Sequence, residues 1–345
     1  MELLLSNLLP GKYNSTTSSK EVFESYIKDL ELLRLAVGYV SSDALIELKK
    51  IVEVNKRPRI EMLIGMHYFE GFSKPQYQAA LSLHKALEDS ESGGFVNISN
   101  TVKFHGKIYS FIKNNEPIGC IVGSSNLNSI VNSSAVYEAD FHISNTTTNI
   151  NVNNSLIKLI DDLGTSISSL NIDTFIEYNS LLENQYGVKK IRTEELISVY
   201  SDKTSIEFDI PIKIEPKSNL NAFFGKGRVN QRGFEMPRPW YEVELIVSKK
   251  ITSLSNYPYN KTFKVITDDG WAFNCKTSGD FSKNFRSEDD LKTLGKWIKG
   301  RLENSGALEI GKPVTNEVLN IYGTSFVKLI KCNQPNAWLL EFKPQ

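Results

Sequence analysis

The sequence lacks most of what would mark a secreted, membrane-bound or metal-templated protein. Its three cysteines, Cys120, Cys275 and Cys332, are widely spaced and odd in number, which fits neither a disulfide framework nor a paired-cysteine zinc site and leaves them as buried thiols. Histidine is scarce, four residues in 345, and no cluster at ligand spacing points to zinc. No apolar run approaches the length of a secretion signal or a spanning helix. The opening Met1 to Ser6 has no basic flank, so a cytoplasmic protein with no membrane partner is expected. No internal repeat is visible. Net charge is absent too: 40 Lys+Arg balance 40 Asp+Glu, which by itself argues for no polyanionic partner.

What is present is an ordinary globular composition, 40% hydrophobic and 23% charged, on a chain long enough for two domains with cores of their own. The charge is unevenly spread. Residues 1–200 carry 18 Lys+Arg against 23 Asp+Glu, a balance of −5, and residues 201–345 carry 22 against 17, a balance of +5. The asymmetry modestly favours a polyanion-binding module in the second half.

Hydrophobic spacing in the first half alternates between helix and strand. It gives an amphipathic stretch over 20–34, a strand over 35–40, a helix from Ser42 or Asp43 to Val54, and a strand from Ile60 to Ile64. A helix then starts at Pro75 and runs to Leu87, with a break at Gly93-Gly94. Val102, Phe104, Gly106 and Ile108 alternate with Lys103, His105, Lys107 and Tyr109, the pattern of a strand with one core face that points His105 and Lys107 the same way. Asn114-Asn115 turns into a strand from Ile118 to Val122, and another strand covers Ala135 to Ser144. The Asn/Thr-rich stretch from Asn145 to Asn154 reads as an exposed loop before a helix at 155–164. Short strands, aromatics and turns dominate from Ile206 onward, with one helix near 287–303. Together these predict an α/β domain over 1–190, a linker over 191–205 with the boundary near residue 195, and a mainly β domain over 206–345.

His105-Gly106-Lys107 followed by Gly123-Ser124-Ser125-Asn126 resembles the phospholipase D superfamily signature, His-x-Lys and then Gly-Ser-x-Asn. A neutral imidazole can attack a phosphodiester and form a covalent phosphohistidine. Lys107, the Asn126 amide and the Ser124 hydroxyl can stabilise the charge that builds on the phosphate oxygens, and Gly123 would let backbone approach it. The signature is incomplete. Its usual Asp, five residues after the lysine, is Ile112, and Glu138, with Asp140 as second choice, is the candidate carboxylate to orient His105. His67, His84 and His142 are expected to be structural or exposed. A single motif copy supplies one histidine where nucleophile and general acid are both needed, which predicts a symmetric homodimer through the first domain and chemistry that needs no divalent metal.

The second half contains Phe223 to Gly233, with Lys226, Arg228, Asn230, Gln231 and Arg232, continuing to Arg238. Arg and Asn/Gln match guanine and adenine edges with paired hydrogen bonds, so a DNA-reading arm is expected there, against the plainer reading of a solvated basic loop. Lys283, Asn284 and Arg286 form a second candidate arm.

The order of the two halves and the motifs together resemble the NgoFVII family of restriction endonucleases, and more distantly BfiI, over nearly the whole chain. The resemblance implies a phospholipase D-like nuclease domain, a mixed sheet flanked by helices, before a C-terminal pseudobarrel like the plant B-three transcription-factor domain. It implies sequence-specific hydrolysis of double-stranded DNA, catalytic roles for His105, Lys107, Asn126 and Glu138, and no cofactor of the chain's own. It also implies a cognate methyltransferase and allows an ATP requirement through a separate ATPase or helicase-like subunit. Against it stand a phospholipase, which would usually carry two motif copies and a membrane-binding surface, and a non-specific nuclease, which would not need the basic second half.

Overall fold

The computed structural model describes residues 1–6, 17–131, 136–176 and 181–344. It divides into two compact units: Met1–Tyr178 with Arg228–Pro237, and Asn179–Gly227 with Arg238–Gln345.

The first unit runs β1 (Glu2–Ser6), α1 (Ser19–Ile27), β2 (Leu32–Val37), α2 (Ser42–Asn55), β3 (Arg59–Ile64), α3 (His67–Glu70), α4 (Lys74–Glu88), β4 (Gly94–Ser99), β5 (Lys107–Lys113), β6 (Glu116–Gly123), α5 (Leu127–Val131), β7 (Glu138–Ile143), α6 (Thr146–Leu163) and β8 (Gly164–Ser166). The strands form one mixed sheet in the order β1-β7-β6-β5-β2-β3-β4-β8, parallel at β2–β3 and β3–β4 and antiparallel elsewhere. Ala36, Leu63, Leu156 and Ile160 make a buried cluster beneath α6. The alternate strand residues Leu35 and Met62 are equally buried, so both faces of the central strands are covered.

Local signals set most helix ends. Ser73 and Gln76 form a reciprocal capping box at α4, and the Ser41 hydroxyl accepts from the Ala44 amide at α2, each satisfying an amide the first turn leaves open. Three expectations shift. Residues 20–34 are not one helix: α1 ends at Ile27 and the strand expected at 35–40 begins at Leu32. Residues 102–106 lie outside β5, with Val102 exposed, and β5, central in the sheet, is buried on both faces rather than alternating. The expected loop from Asn145 to Asn154 is the first half of α6. Asn145 caps it, accepting from the Thr148 amide at 3.0 Å. The Asn153 carboxamide oxygen accepts from Arg34 at 2.7 Å and Ser110 at 3.1 Å, so a polar residue occupies a buried helix face because it meets polar groups there. Of the strand expected over Ala135 to Ser144, Ala135 lies outside the described residues.

The second unit holds β9 (Lys189–Lys190), α7 (Thr193–Asp202) and β10 (Lys203–Pro211). The hairpin β11 (Arg228–Val229) and β12 (Glu235–Met236) belongs to the first unit. The second resumes with β13 (Leu245–Ile246), α8 (Lys249–Thr252), β14 (Thr262–Thr267), β15 (Trp271–Ser278), β16 (Asn284–Ser287), α9 (Thr293–Asn304), α10 (Asn316–Tyr322), β17 (Phe326–Cys332) and β18 (Ala337–Glu341). Its main sheet has the order β10-β17-β18-β14-β15-β16-β13, with β9 added beside β15. The segment 191–205, expected as a linker, is α7 and the start of β10, and Ile191, Leu196, Val199 and Tyr200 pack into a core with Ile266, Ala272, Ile330 and Leu339. The expected helix at 287–303 begins only at Thr293, after β16 has used Ser287. All three cysteines are buried and free. Among the described residues no helix is long and apolar enough to cross a membrane.

Candidate active site

The first unit brings His105, Lys107, Ser124, Asn126 and Glu138 to the neighbouring ends of β2, β5, β6 and β7. The Phe104 amide donates to the Gly65 carbonyl at 3.1 Å, fixing the entry to the motif. A Cβ at Gly106 would stand 2.4 Å from the Phe104 ring, so the middle residue of His-x-Lys is glycine because the ring of Phe104 fills its side-chain space. His105 is exposed whereas Lys107, the first residue of β5, is 7% exposed. The Lys107 ammonium donates to the His105 carbonyl at 2.7 Å and lies 3.2 Å from His105 Nε2. An ammonium can donate only to an unprotonated ring nitrogen, so this contact selects the tautomer with its proton on Nδ1. Burial holds the Lys107 ammonium below the usual lysine range, and the charge of Glu138 opposes that shift.

The Gly-Ser-Ser-Asn turn is held from below by Asp140. Its carboxylate, 1% exposed, accepts from the Ser125 amide at 2.9 Å, the Ser125 hydroxyl at 2.6 Å and the Ser19 hydroxyl at 2.5 Å. A Cβ at Gly123 would come within 2.3 Å of Asp140 Oδ1. Gly123 therefore makes room for this carboxylate, where the sequence suggested close approach to a phosphate. Glu138 faces the turn from the other side: it accepts from the Ser124 hydroxyl at 2.5 Å and the Ser129 hydroxyl at 3.2 Å, and the Ser124 oxygen accepts from the Ala139 amide at 3.0 Å. Among the described residues neither carboxylate bonds to His105. Asp140, the second choice for orienting the imidazole, is fully engaged by hydroxyls and an amide.

A second layer escapes the sequence motifs. Asn126 Oδ1 accepts from the Tyr39 amide at 3.0 Å, and His67 Nε2 accepts from the next amide, Val40, at 3.1 Å while His67 Nδ1 donates to the Gly71 carbonyl at 2.9 Å. Burial pushes the His67 imidazole below its usual range. The Tyr39 ring stands edge-on to His105, centroids 5.6 Å apart, and its hydroxyl donates to Glu70, which also accepts from Lys103 at 3.2 Å. These two donors hold the Glu70 carboxyl below the usual carboxylate range. A Cβ at Gly38 would meet His105 Cδ2 at 3.1 Å, so the β2 end passes close beneath the imidazole. The one sequence signal was position: Gly38-Tyr39 follows a buried strand at the sheet end where α/β sites form. Of the other histidines, His84 Nδ1 accepts from the Val96 amide and His142 Nε2 lies 3.0 Å from the Tyr26 hydroxyl.

The nine candidate DNA-reading residues are divided between the two units. Arg228, Asn230, Gln231 and Arg232 lie on the hairpin that belongs to the first unit. There the Asn55 carboxamide bonds both ways to the Glu235 backbone, at 2.7 and 2.9 Å, Arg232 pairs with Asp29 at 2.5 Å, and Phe234 is buried. Asn230 accepts from the Arg232 and Phe234 amides, so its side chain shapes the turn. In the second unit Arg238 is paired with Glu242, Lys226 is exposed, and Lys283 lies 3.6 Å from Asp280. Asn284 Oδ1 and Arg286 Nε are buried with no hydrogen-bond partner among the described residues.

A family model described as the NgoFVII restriction endonuclease N-terminal PLD domain matches residues 18–169, and one described as the NgoFVII C-terminal B3-like DNA-binding domain matches residues 198–333. Among solved structures the chain is similar to TrmBL2, described as an archaeal chromatin protein with a novel mode of DNA binding, at 11% identity and a TM-score of 0.30, covering 47% of this chain and 53% of that one. It is also similar to NucT from Helicobacter pylori, at 14% identity and a TM-score of 0.30, covering 48% of this chain and 100% of that one. The chain thus spans about half the length of the archaeal protein. No curated protein matches it.

Proposed function

Since this chain belongs to the NgoFVII restriction endonuclease family, we propose that it is a type II site-specific deoxyribonuclease that cuts double-stranded DNA without metal, through a covalent phosphohistidine at His105. The observation that carries this reading is the 3.2 Å approach of the Lys107 ammonium to His105 Nε2. An arriving phosphodiester takes the ammonium's hydrogen bond on a non-bridging oxygen and leaves the Nε2 lone pair facing phosphorus. Nε2 then forms the N–P bond as the P–O bond to one nucleoside breaks. A proton goes to the departing oxygen, and water next attacks phosphorus, breaking the N–P bond and restoring the imidazole.

In this reading the Asn126 amide meets the phosphate directly and Ser124 acts as a positioning residue. The Asn126 oxygen is taken up by the Tyr39 amide, which leaves its NH₂ to donate to the phosphate, and the Ser124 hydroxyl is held by Glu138. Glu138 thereby supports the charge of Lys107 instead of orienting His105. The general acid is assigned to His105 of a second copy in a two-fold homodimer, because one motif copy supplies one exposed histidine. The second unit, whose sheet curls into a half-barrel, reads the DNA sequence as a pseudobarrel of the plant B-three type, with Lys226, Lys283, Asn284 and Arg286 on its arms. A cytoplasmic location, protection of host DNA by a cognate methyltransferase, and coupling to a separate ATPase or helicase-like subunit complete the proposal.

The test is chemical trapping. End-labelled DNA is mixed with the protein and quenched at alkaline pH in denaturant, and the label is sought on protein. A covalent adduct that is lost in acid and maps to the peptide holding His105 is expected. Turnover with no adduct at His105 would contradict the phosphohistidine.

A further inference from the structure

The loop between β15 and β16 carries a feature that the arm residues do not explain. Gly279, Phe281 and Ser282 all have left-handed backbone, at φ 74°, 57° and 52°. Glycine adopts this conformation freely, but an aromatic residue there is an outlier. The surrounding structure over-determines it: the Ser282 amide donates to the Gly279 carbonyl at 2.9 Å, the buried Ser282 hydroxyl accepts from the Asn260 amide at 2.8 Å, and the Thr277 hydroxyl donates to the Pro258 carbonyl. The outcome is a rigid tip that presents Phe281 to solvent, 53% exposed. A cation sits over its ring, with Lys249 Nζ 4.0 Å from the centroid. Lys250 follows on the same short helix and Lys283 two residues beyond the ring, and the carboxylate of Asp280, next to the ring in the chain, is 3.6 Å from Lys283.

We propose that Phe281 is a DNA wedge: when the second unit binds duplex DNA, the ring inserts between adjacent base pairs while Lys249, Lys250 and Lys283 take the flanking phosphates. Apolar side chains used this way unstack a base step and kink the duplex, and the specificity they add depends on how easily that step deforms. A rigid tip suits the role because no ordering cost falls due on insertion. A knob for another protein is less well matched by a ring capped with an ammonium among further lysines, whereas a phosphate-flanked base step complements all of them. The inference rests on the second unit being the DNA-reading half.

The experiment uses the full chain in a His105→Ala background, which leaves bound DNA uncut, with and without Phe281→Gly. A random duplex library is first selected on the protein, and the enriched duplex is then scanned with 2-aminopurine at successive positions. Expected are a several-fold fluorescence rise at one step, its loss in Phe281→Gly, and a fall in affinity for the enriched duplex of about tenfold or more. Glycine relieves the left-handed conformation, so the thermal midpoint should hold or rise in the same variant, which a merely structural role for the ring would not give. Enrichment with no fluorescent step and unchanged affinity in Phe281→Gly would overturn the wedge and leave the DNA-reading half standing. No enrichment at all would overturn the DNA-reading half itself. Self-association in the absence of DNA that Phe281→Gly abolishes would assign the ring to a protein contact instead.

Discussion

Replacing Asp140 by alanine should unfold the nuclease unit before it touches the chemistry. The carboxylate accepts from one amide and two hydroxyls, on Ser125 and Ser19, at 2.5 to 2.9 Å, and the site is 1% exposed, so water cannot take its place. A buried donor left without an acceptor costs about 1–3 kcal/mol. The two hydroxyls can rotate toward other acceptors and the Ser125 amide cannot, so the total should be about 3–5 kcal/mol. For a domain of this size that corresponds to a fall in Tm of about 6–20 °C. Gly123→Ala should act through the same group, because its Cβ would meet Asp140 Oδ1 at 2.3 Å and displace the carboxylate. The assay is thermal unfolding of wild type and both variants, paired with DNA cleavage below the lowered midpoint. Retained activity at low temperature with a lower Tm is expected. Unchanged Tm with lost cleavage would overturn this structural role and make Asp140 a catalytic partner of His105.

Glu138→Gln removes the charge that raises the Lys107 pKa against burial. In the proposed mechanism the ammonium binds the phosphate, so the alkaline limb of the activity profile should move to lower pH, as a pH–rate series would report. Lys107→Met should lower kcat by about 10²–10³-fold with Tm nearly unchanged, measured by single-turnover cleavage beside thermal unfolding. His67 is neutral in the fold because burial lowers its pKa. The unfolded chain therefore binds the extra proton first, and stability should fall as pH drops below about 6.5 toward the lower folded value, by up to about 1.4 kcal/mol per pH unit. Denaturant titrations at several pH values should show that slope reduced in His67→Gln.

The approach of the Lys107 ammonium to His105 Nε2 was legible because the two residues are close in the chain and their spacing alone brings imidazole and ammonium together. The α2 and α4 starts were legible for the same reason, since Ser41, Ser73 and Gln76 act within three residues of their partners. What the sequence hid depends on distant contacts. The Asn-rich start of α6 is helical because Asn153 meets Arg34 and Ser110 across the sheet, and polar composition alone suggested a loop. Tyr39 and Glu70 meet only because the chain returns through β3, so no local motif marks them. Arg228 to Arg232 read as a DNA arm by composition, yet their hairpin packs on Asn55 and Asp29, more than 170 positions earlier in the chain. Glu138 was singled out as the carboxylate to orient His105, but among the described residues it accepts from the Ser124 and Ser129 hydroxyls and not from the imidazole.

If His105 cuts DNA without a metal, chelation should leave cleavage intact. Unmethylated plasmid and genomic DNA should be incubated with the protein in excess EDTA, beside His105→Ala and a magnesium-supplemented sample. Discrete fragments are expected in EDTA and should disappear in the variant. Cleavage that appears only with magnesium, or that survives the loss of His105, would contradict metal-free cutting by His105.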